Sequence, residues 1–290
     1  MSIKYNKSLR TLSQGVVQFF GDLFWTIFSM VLILFLSSFR AARRFRKDTV
    51  EDSKKCCVLG NGPSLKDALD NDEVNYADGD VICVNMFCKS EYFEMIKPRY
   101  YCLVDRVYFM PVTPRHHKLV EELVAGLNKV DWEMELLIPA GIPCDELMKQ
   151  LNNPNLKVKR INNIWIKGFK GFCHCCYSKQ LAIPRCENIL GVVLTLAVAK
   201  GYKDIYVYGA DHSWTRDMYV DDENVVCYGD RHVYHKDLQI VKMNHPLYVE
   251  LSSFATVFKA HLMIDEFAKS RGCNIYNCTK GSFIDAYQRL

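Results

Sequence analysis

The sequence lacks a strong charge of either sign: 37 Lys and Arg against 33 Asp and Glu leave a formal net charge of +4 over 290 residues. That is too little for the broad basic surface of a nucleic-acid binder, so nucleic acid is excluded as a partner. No internal repeat or low-complexity linker divides the chain, which argues against a repeat array or a tethered pair of modules. The spaced glycines of the dinucleotide fingerprint and the Gly-Lys-Ser/Thr of a Walker loop are both missing. What remains, 49% hydrophobic and 24% charged, is ordinary for a folded protein with one large domain and an appendage.

A secreted disulfide framework is also hard to sustain. The 13 cysteines are odd in number, and Cys56, Cys57, Cys83 and Cys102 sit inside apolar, strand-like runs. They read as reduced, buried thiols in a reducing compartment. Cys173-His174-Cys175-Cys176 is the tightest soft-ligand cluster, but its spacing is not the separated pair of pairs that closes a tetrahedral zinc site.

One long apolar run stands out, Phe19 to Phe39, close to the roughly 20 residues needed to cross a bilayer as a helix. Gly21 and Asp22 interrupt its start, which leaves a spanning helix and an in-plane anchor both open; a buried soluble helix is the third reading. No small-x-small cleavage site follows, so a signal peptide is disfavoured. Arg40, Arg43, Arg44, Arg46 and Lys47 follow the run and Lys4, Lys7 and Arg10 precede it. This bias predicts an inner-membrane protein, single-pass or monotopic, with residues 51–290 cytoplasmic and residues 1–50 as the anchor. The basic flank would also attract anionic headgroups.

Beyond Lys54, β-branched apolar runs alternate with helical patterns, predicting an α/β, Rossmann-like, mostly parallel sheet with helices on both faces. The expected strands are Cys56–Leu59, Val81–Val84, Tyr100–Val104, Glu135–Ile138, Lys157–Ile161, Ile205–Tyr208 and Asn274–Tyr276. Helices are expected at Pro63–Leu69, Arg115–Lys129, Cys144–Leu151, Ile189–Lys200 and Tyr248–Arg271, with Lys167–Lys179 as a surface loop. Ligands of such folds sit beyond the carboxyl ends of the strands, and polar residues cluster there: Gly60-Asn61-Gly62-Pro63-Ser64, Asn85, Asp105 and Gly209-Ala210-Asp211-His212. Free amides in the first turn would face a phosphate. Each Asp and Asn is equally suited to capping a turn.

The run Val58 to Lys66, with its Gly-Asn-Gly-Pro-Ser-Leu turn, resembles the opening of the bacterial lipooligosaccharide sialyltransferases, glycosyltransferase family 42. Related turns occur in motility-associated glycosyltransferases and pterin pyrophosphokinase-like proteins. A second stretch, Gly191 through Gly201-Tyr202-Lys203-Asp204 to Gly209-Ala210-Asp211, is similar to that family's helix, strand and Gly-x-Asp loop. The resemblance implies a CMP-sugar donor held by Gly60, Asn61, Gly62, Pro63, Ser64, Asn85, Gly191 and Asp211. It places Ser213 and Tyr219 at the two tyrosine positions that serve the leaving phosphate, and His245 at the general base, ahead of His232, His235 and His261. Ser213 in place of a tyrosine, and Glu187-Asn188-Ile189-Leu190-Gly191 in place of an Arg-x-Thr-Ser-Gly, depart from the pattern. Arg185 is the cation that a re-threaded loop would bring back.

Sugar transfer passes through an oxocarbenium-like state, so the acceptor hydroxyl needs a base and the departing phosphate needs donors. No Asp-x-Asp metal motif of other transferases is recognised, Asp221-Asp222 being a poor substitute, and the resemblance implies a metal-independent, inverting mechanism without a cofactor. The expected partners are a nucleotide-sugar donor, a glycan or lipid-linked acceptor and the membrane, with a homo-oligomer left open. The polar stretch 212–245 is the expected lid over the donor. Two other classes stay in play: a magnesium-dependent pyrophosphokinase-like enzyme, and a membrane scaffold whose site has decayed.

Overall fold

The computed structural model describes residues 2–47, 55–74, 76, 78–230, 233 and 239–290. The chain begins with α1 (Ser2–Leu36) and α2 (Phe39–Lys47), then enters the alternating region through β1 (Lys55–Leu59), α3 (Ser64–Asp70), β2 (Gly79–Val84), the short α4 (Phe93–Ile96), β3 (Tyr100–Cys102) and α5 (Pro114–Asn128). It continues as β4 (Met134–Pro139), α6 (Asp145–Gln150), β5 (Leu156–Ile161), α7 (Lys170–Ser178), α8 (Ile189–Lys200) and β6 (Asp204–Tyr208). The strands β7 (Tyr219–Val220), β8 (Val226–Asp230) and β9 (Gln239–Lys242) precede α9 (Leu247–Ser270), β10 (Asn274–Asn277) and β11 (Gln288–Arg289).

Eight of these strands form one parallel sheet in the order β11-β10-β6-β1-β2-β3-β4-β5. Alternation along each strand splits the core into two layers. Cys56, Val58, Ile82, Val84, Tyr100 and Leu137 face α8 and α9, while Cys57, Leu59, Val81, Cys83, Tyr101 and Leu136 face α3, α5 and α6. Both faces are buried, which is why these strands read as continuous apolar runs. Every residue of α8 is buried except its caps, so its uniformly apolar sequence belongs to a core helix. All thirteen cysteines are free thiols; burial pushes Cys57 up to about 12, so it stays protonated at neutral pH.

The chain runs from β1 outward to β5 and then returns to the other side of β1 as β6. Loops leaving β1 and β6 therefore diverge from neighbouring strands, and that switch point is where an open α/β sheet forms its crevice. A separate antiparallel sheet, β7-β8-β9, folds over it.

Three expectations need correction. Lys167–Lys179 is not a loop: α7 fills most of it, with Cys173, Cys176 and Tyr177 buried and Cys175 exposed. The cluster's cysteines thus face different environments. The apolar helix begins well before Phe19, at Ser2, and breaks at Ser37-Ser38. The polar stretch after Asp211 carries ordered strands that its composition does not announce.

Candidate functional site

The turn after β1 and the turn after β6 are built against each other. Gly60 N donates to Tyr208 O at 2.8 Å and Gly62 N to Gly209 O at 2.9 Å. A Cβ on Gly60 would meet Gly209 O at 2.3 Å, and one on Gly62 would meet Asp211 Oδ2 at 1.9 Å. Gly209 itself sits at φ +64, in the left-handed region. The glycines are there for close backbone approach. Their amides are already committed to β6, which corrects the expectation that they are free for a phosphate.

Asp211 closes the same joint from the other side. Its carboxylate accepts from Ser64 Oγ at 2.8 Å and Ser64 N at 3.4 Å, bridging β6 to the start of α3. Burial raises its pKa, with the Ser64 hydrogen bonds opposing that shift. Ser64 is therefore a partner of Asp211 and does not line the crevice.

Over this joint lies a cavity of about 660 Å³. Asn61, Gly62, Pro63, Asn85, Asp211 and Ser213, six of the sequence-derived residues, line it. Two observations mark it as a place for a ligand. Asn61 Nδ2 donates to Val84 O at 3.1 Å, which leaves Asn61 Oδ1 buried without a donor; Asn85 Oδ1 is buried and unpartnered as well. Buried acceptors without donors are uncommon in folded proteins, and such a pair in one cavity calls for donors from outside the chain. Asn85 adopts φ 52, and its carbonyl accepts from the Tyr101 hydroxyl, which fixes the bend that presents the side chain.

Apart from Asp105, Gly209 and His212, the rest of the lining was not singled out from sequence. Asn188 caps α8, accepting from Leu190 N at 2.7 Å, so the amino terminus of that twelve-residue core helix opens on the cavity with its partial positive charge. Arg115 and Arg216 add cations, and Arg216 lies over the Phe283 ring at 5.1 Å. Lys89, another lining cation, is paired with Glu122 at 2.7 Å. Asp105, also on the wall, caps the following turn through Val107 N at 3.1 Å. A helix cap and a post-turn arginine carry little signal in a sequence, because their meaning depends on which loops meet.

His212, flanking Ser213, also lines the cavity, at 5% exposure and φ 49. Its Nε2 lies 3.1 Å from His261 Nε2, and His261 Nδ1 lies 2.9 Å from the Tyr287 hydroxyl. Burial holds both imidazoles down, His212 well below its ordinary value and His261 to about 4. The three form a neutral hydrogen-bonded file from the cavity wall into the core.

Gly60, Gly191, Tyr219 and His245 do not line the cavity. Gly191 packs inside α8, where an added Cβ would lie 2.7 Å from Cys186 Sγ. Tyr219 is half-exposed on the edge strand β7, opposite Cys227. His245 stands on the segment joining β9 to α9, with Nε2 2.6 Å from Oε2 of the buried Glu250. Arg185 pairs with Glu187 at 2.7 Å and packs over Trp165, away from the cavity. His232 and His235 lie outside the described residues.

The three-stranded sheet roofs the cavity with Gly229 of β8 and Val241 of β9, and Val233 N donates to Asn61 O at 2.8 Å. Trp214 stacks on Phe254 at 5.1 Å, and Tyr228 meets the same ring edge-on, so the roof rests on α9. Two Asp-x-Asp triplets do occur in the chain, Asp70-Asn71-Asp72 and Asp78-Gly79-Asp80, and neither reaches the cavity. Asp70 accepts from the Tyr92 hydroxyl, and Asp80 pairs with Arg99 and Tyr202.

No protein-family model matches this chain, and no curated protein does. Among solved structures, the MAf glycosyltransferase from Magnetospirillum magneticum AMB-1 superposes on 87% of the chain with a TM-score of 0.50 at 13% identity. The chain spans 37% of the length of that protein. The likeness is one of fold.

Proposed function

We propose that the protein is a glycosyltransferase whose donor, a nucleotide sugar, occupies the cavity over the joint of the β1 and β6 turns. The observation that carries this reading is the pair of unpartnered acceptors, Asn61 Oδ1 and Asn85 Oδ1, on one cavity at the switch point of the sheet. Nucleoside hydroxyls and base amino groups are the donors such acceptors take. The fold shared with a glycosyltransferase, and the resemblance of the Asn61 turn to the sialyltransferases, supports a CMP-sialic-acid type of donor and a glycan or lipid-linked acceptor.

The leaving phosphate in this reading lies toward the α8 amino terminus, with Arg216 and Arg115 as its cations. Ser213, on the wall beside Asp211, offers a hydroxyl in place of the first tyrosine. Tyr219 rides on the roofing sheet and joins the site only if that sheet shifts.

The base is the His245 imidazole, backed by the Glu250 carboxylate. A buried carboxylate that fixes one ring nitrogen orients the imidazole toward the acceptor proton. His212 is on the cavity wall but is a poorer base, because burial disfavours its charged form. Acceptor entry beside β9 would then bring His245 to the reacting hydroxyl.

Purified protein incubated with CMP-, UDP- and GDP-sugars in the presence of a chelator tests the proposal. Donor turnover with one nucleotide supports it. No turnover of any sugar donor, together with magnesium-dependent consumption of ATP, would favour the pyrophosphokinase-like reading, and no turnover together with no nucleotide binding would favour the scaffold.

A further inference from the structure

The helix α1 offers 23 residues, Gln14–Leu36, that are long and apolar enough to cross a bilayer. Its contacts with the rest of the chain argue against an upright crossing. Thr26 and Ser29 are buried on one face, and the backbone of the segment before α7 is bonded to them: Phe169 N donates to Thr26 Oγ1 at 2.9 Å, Ser29 Oγ donates to Lys167 O at 2.7 Å, and Lys167 N donates back at 3.1 Å. Gly168, at φ +134, is pressed so close that a Cβ would lie 2.2 Å from Thr26 Oγ1. The contact runs on in both directions. Phe19 meets Phe169 at 5.4 Å, Ser37 Oγ donates to Leu181 O at 2.5 Å, and Ser38 N donates to Oδ1 of the buried Asn162 at 2.7 Å.

From Phe19 to Leu36, the end of α1, is about 26 Å of helix at 1.5 Å per residue, most of the thickness of a hydrocarbon core of roughly 30 Å. A helix standing across the membrane would therefore drag the docked wall in with it. That wall carries Lys167, whose ammonium lies over the Trp25 ring at 4.8 Å, and the Lys170–Glu266 ion pair at 3.0 Å. Charged groups beside mid-membrane positions of the helix are costly. The opposite face of α1, with Phe20, Phe24, Ile27, Val31, Leu34 and Phe35 all exposed, has no protein over it among the described residues.

A second observation says what covers that face. After the break at Ser37-Ser38, α2 buries Ala41, Ala42 and Phe45 against the body. Between α2 and the β4–β5 edge lies a second cavity, about 580 Å³, lined by Arg40, Arg44, Lys159, Arg160 and Lys200 with Glu135 as the single carboxylate among its described residues. Lys200 is 3% exposed, its ammonium held over the Phe45 and Tyr100 rings at 4.8 and 4.7 Å. Arg160 is bonded to Pro139 O at 3.0 Å and to Cys144 Sγ, and Lys200 is held over its two rings, so the exposed Arg40 and Arg44, at the foot of an apolar helix, are the cations that match a phosphate-bearing lipid headgroup.

We propose that α1 lies in one leaflet of an anionic membrane, its Phe20–Phe35 face in the acyl boundary and its Thr26–Ser29 face on the body, with a headgroup phosphate of that leaflet in the α2 cavity. The protein is thus monotopic and approaches its acceptor from the membrane surface. This placement does not depend on the nucleotide reading.

The test uses the full chain with a protease-cleavable tag at each end, bound to phosphatidylglycerol-containing vesicles. In a monotopic protein both tags are cut on the same molecules without detergent. Molecules in which one tag is cut and the other stays protected until detergent is added would overturn the placement. The double variant R40E/R44E is expected to lose at least tenfold in binding to phosphatidylglycerol vesicles while its residual binding to phosphatidylcholine vesicles is unchanged. Equal wild-type binding to both vesicle types would overturn the headgroup site. Displacement from phosphatidylglycerol vesicles by millimolar inorganic phosphate at constant ionic strength would do so too, since it would mark a site for a free anion.

Discussion

At the scale of single residues, the site separates side chains that hold the crevice together from those that face into it. Gly62 belongs to the first kind: any side chain would drive into Asp211 and the Gly209 carbonyl. Gly62→Ala is expected to cost on the order of 1–3 kcal/mol in denaturant unfolding, since backbone and a bonded carboxylate must give way; unchanged stability would show that the joint is looser than described. In the proposed reading His245 serves the chemistry. His245→Ala is expected to lower donor turnover by a hundredfold or more with nucleotide affinity intact, and Glu250→Gln to lower it less. If His245→Ala turned over at the wild-type rate while His212→Ala did not, the base would be His212. His261 allows a pH prediction with a definite sign. Its folded pKa of about 4 lies below the ordinary 6.5, so the stability it confers is present above pH 6.5 and is lost as pH falls toward 4. The loss is on the order of 3 kcal/mol over that window. His261→Gln should flatten the fall in melting temperature between those pH values, and an equally steep fall in the variant would assign it to other groups.

At the scale of elements, legibility followed the range of the signal. Strands β1 to β4 and β6 and helix α8 were readable because burial on all sides writes a continuous apolar run into the sequence, and helices α5 and α9 because burial on one face writes a helical period. Most boundaries moved by one or two residues, as ends do when caps decide them. The strands of the roofing sheet were not readable: β7 pairs only Tyr219 and Val220, both exposed, so no alternation is imposed. Helix α7 was missed because its Cys-His-Cys-Cys run looks like ligand chemistry rather than a face, although Cys173, Cys176 and Tyr177 follow the i, i+3, i+4 spacing of a buried stripe. The roles of Asn188, Arg115, Arg216 and His212 depend on loops distant in sequence converging, which no local period records.

At the scale of the whole molecule, the β1–β6 switch point and its roof arrange a crevice on a body docked against α1 and α2. The asparagines were found from sequence because post-strand turns are short and positioned by the sheet. Tyr219 and His245 came from the resembling family's intervals carried across a long polar stretch, and in the proposed reading they reach the crevice only if the roof moves. The central claim is that the two orphaned asparagine oxygens receive a nucleotide. Calorimetric titration of the wild-type chain and of Asn61→Ala and Asn85→Ala with CMP, UDP and GDP tests it most directly. The account predicts that one nucleotide binds the wild type and that each substitution weakens it about tenfold, roughly 1.4 kcal/mol per lost bonded pair. Binding of equal strength in all three proteins, or no binding of any nucleotide to the wild type, would contradict it.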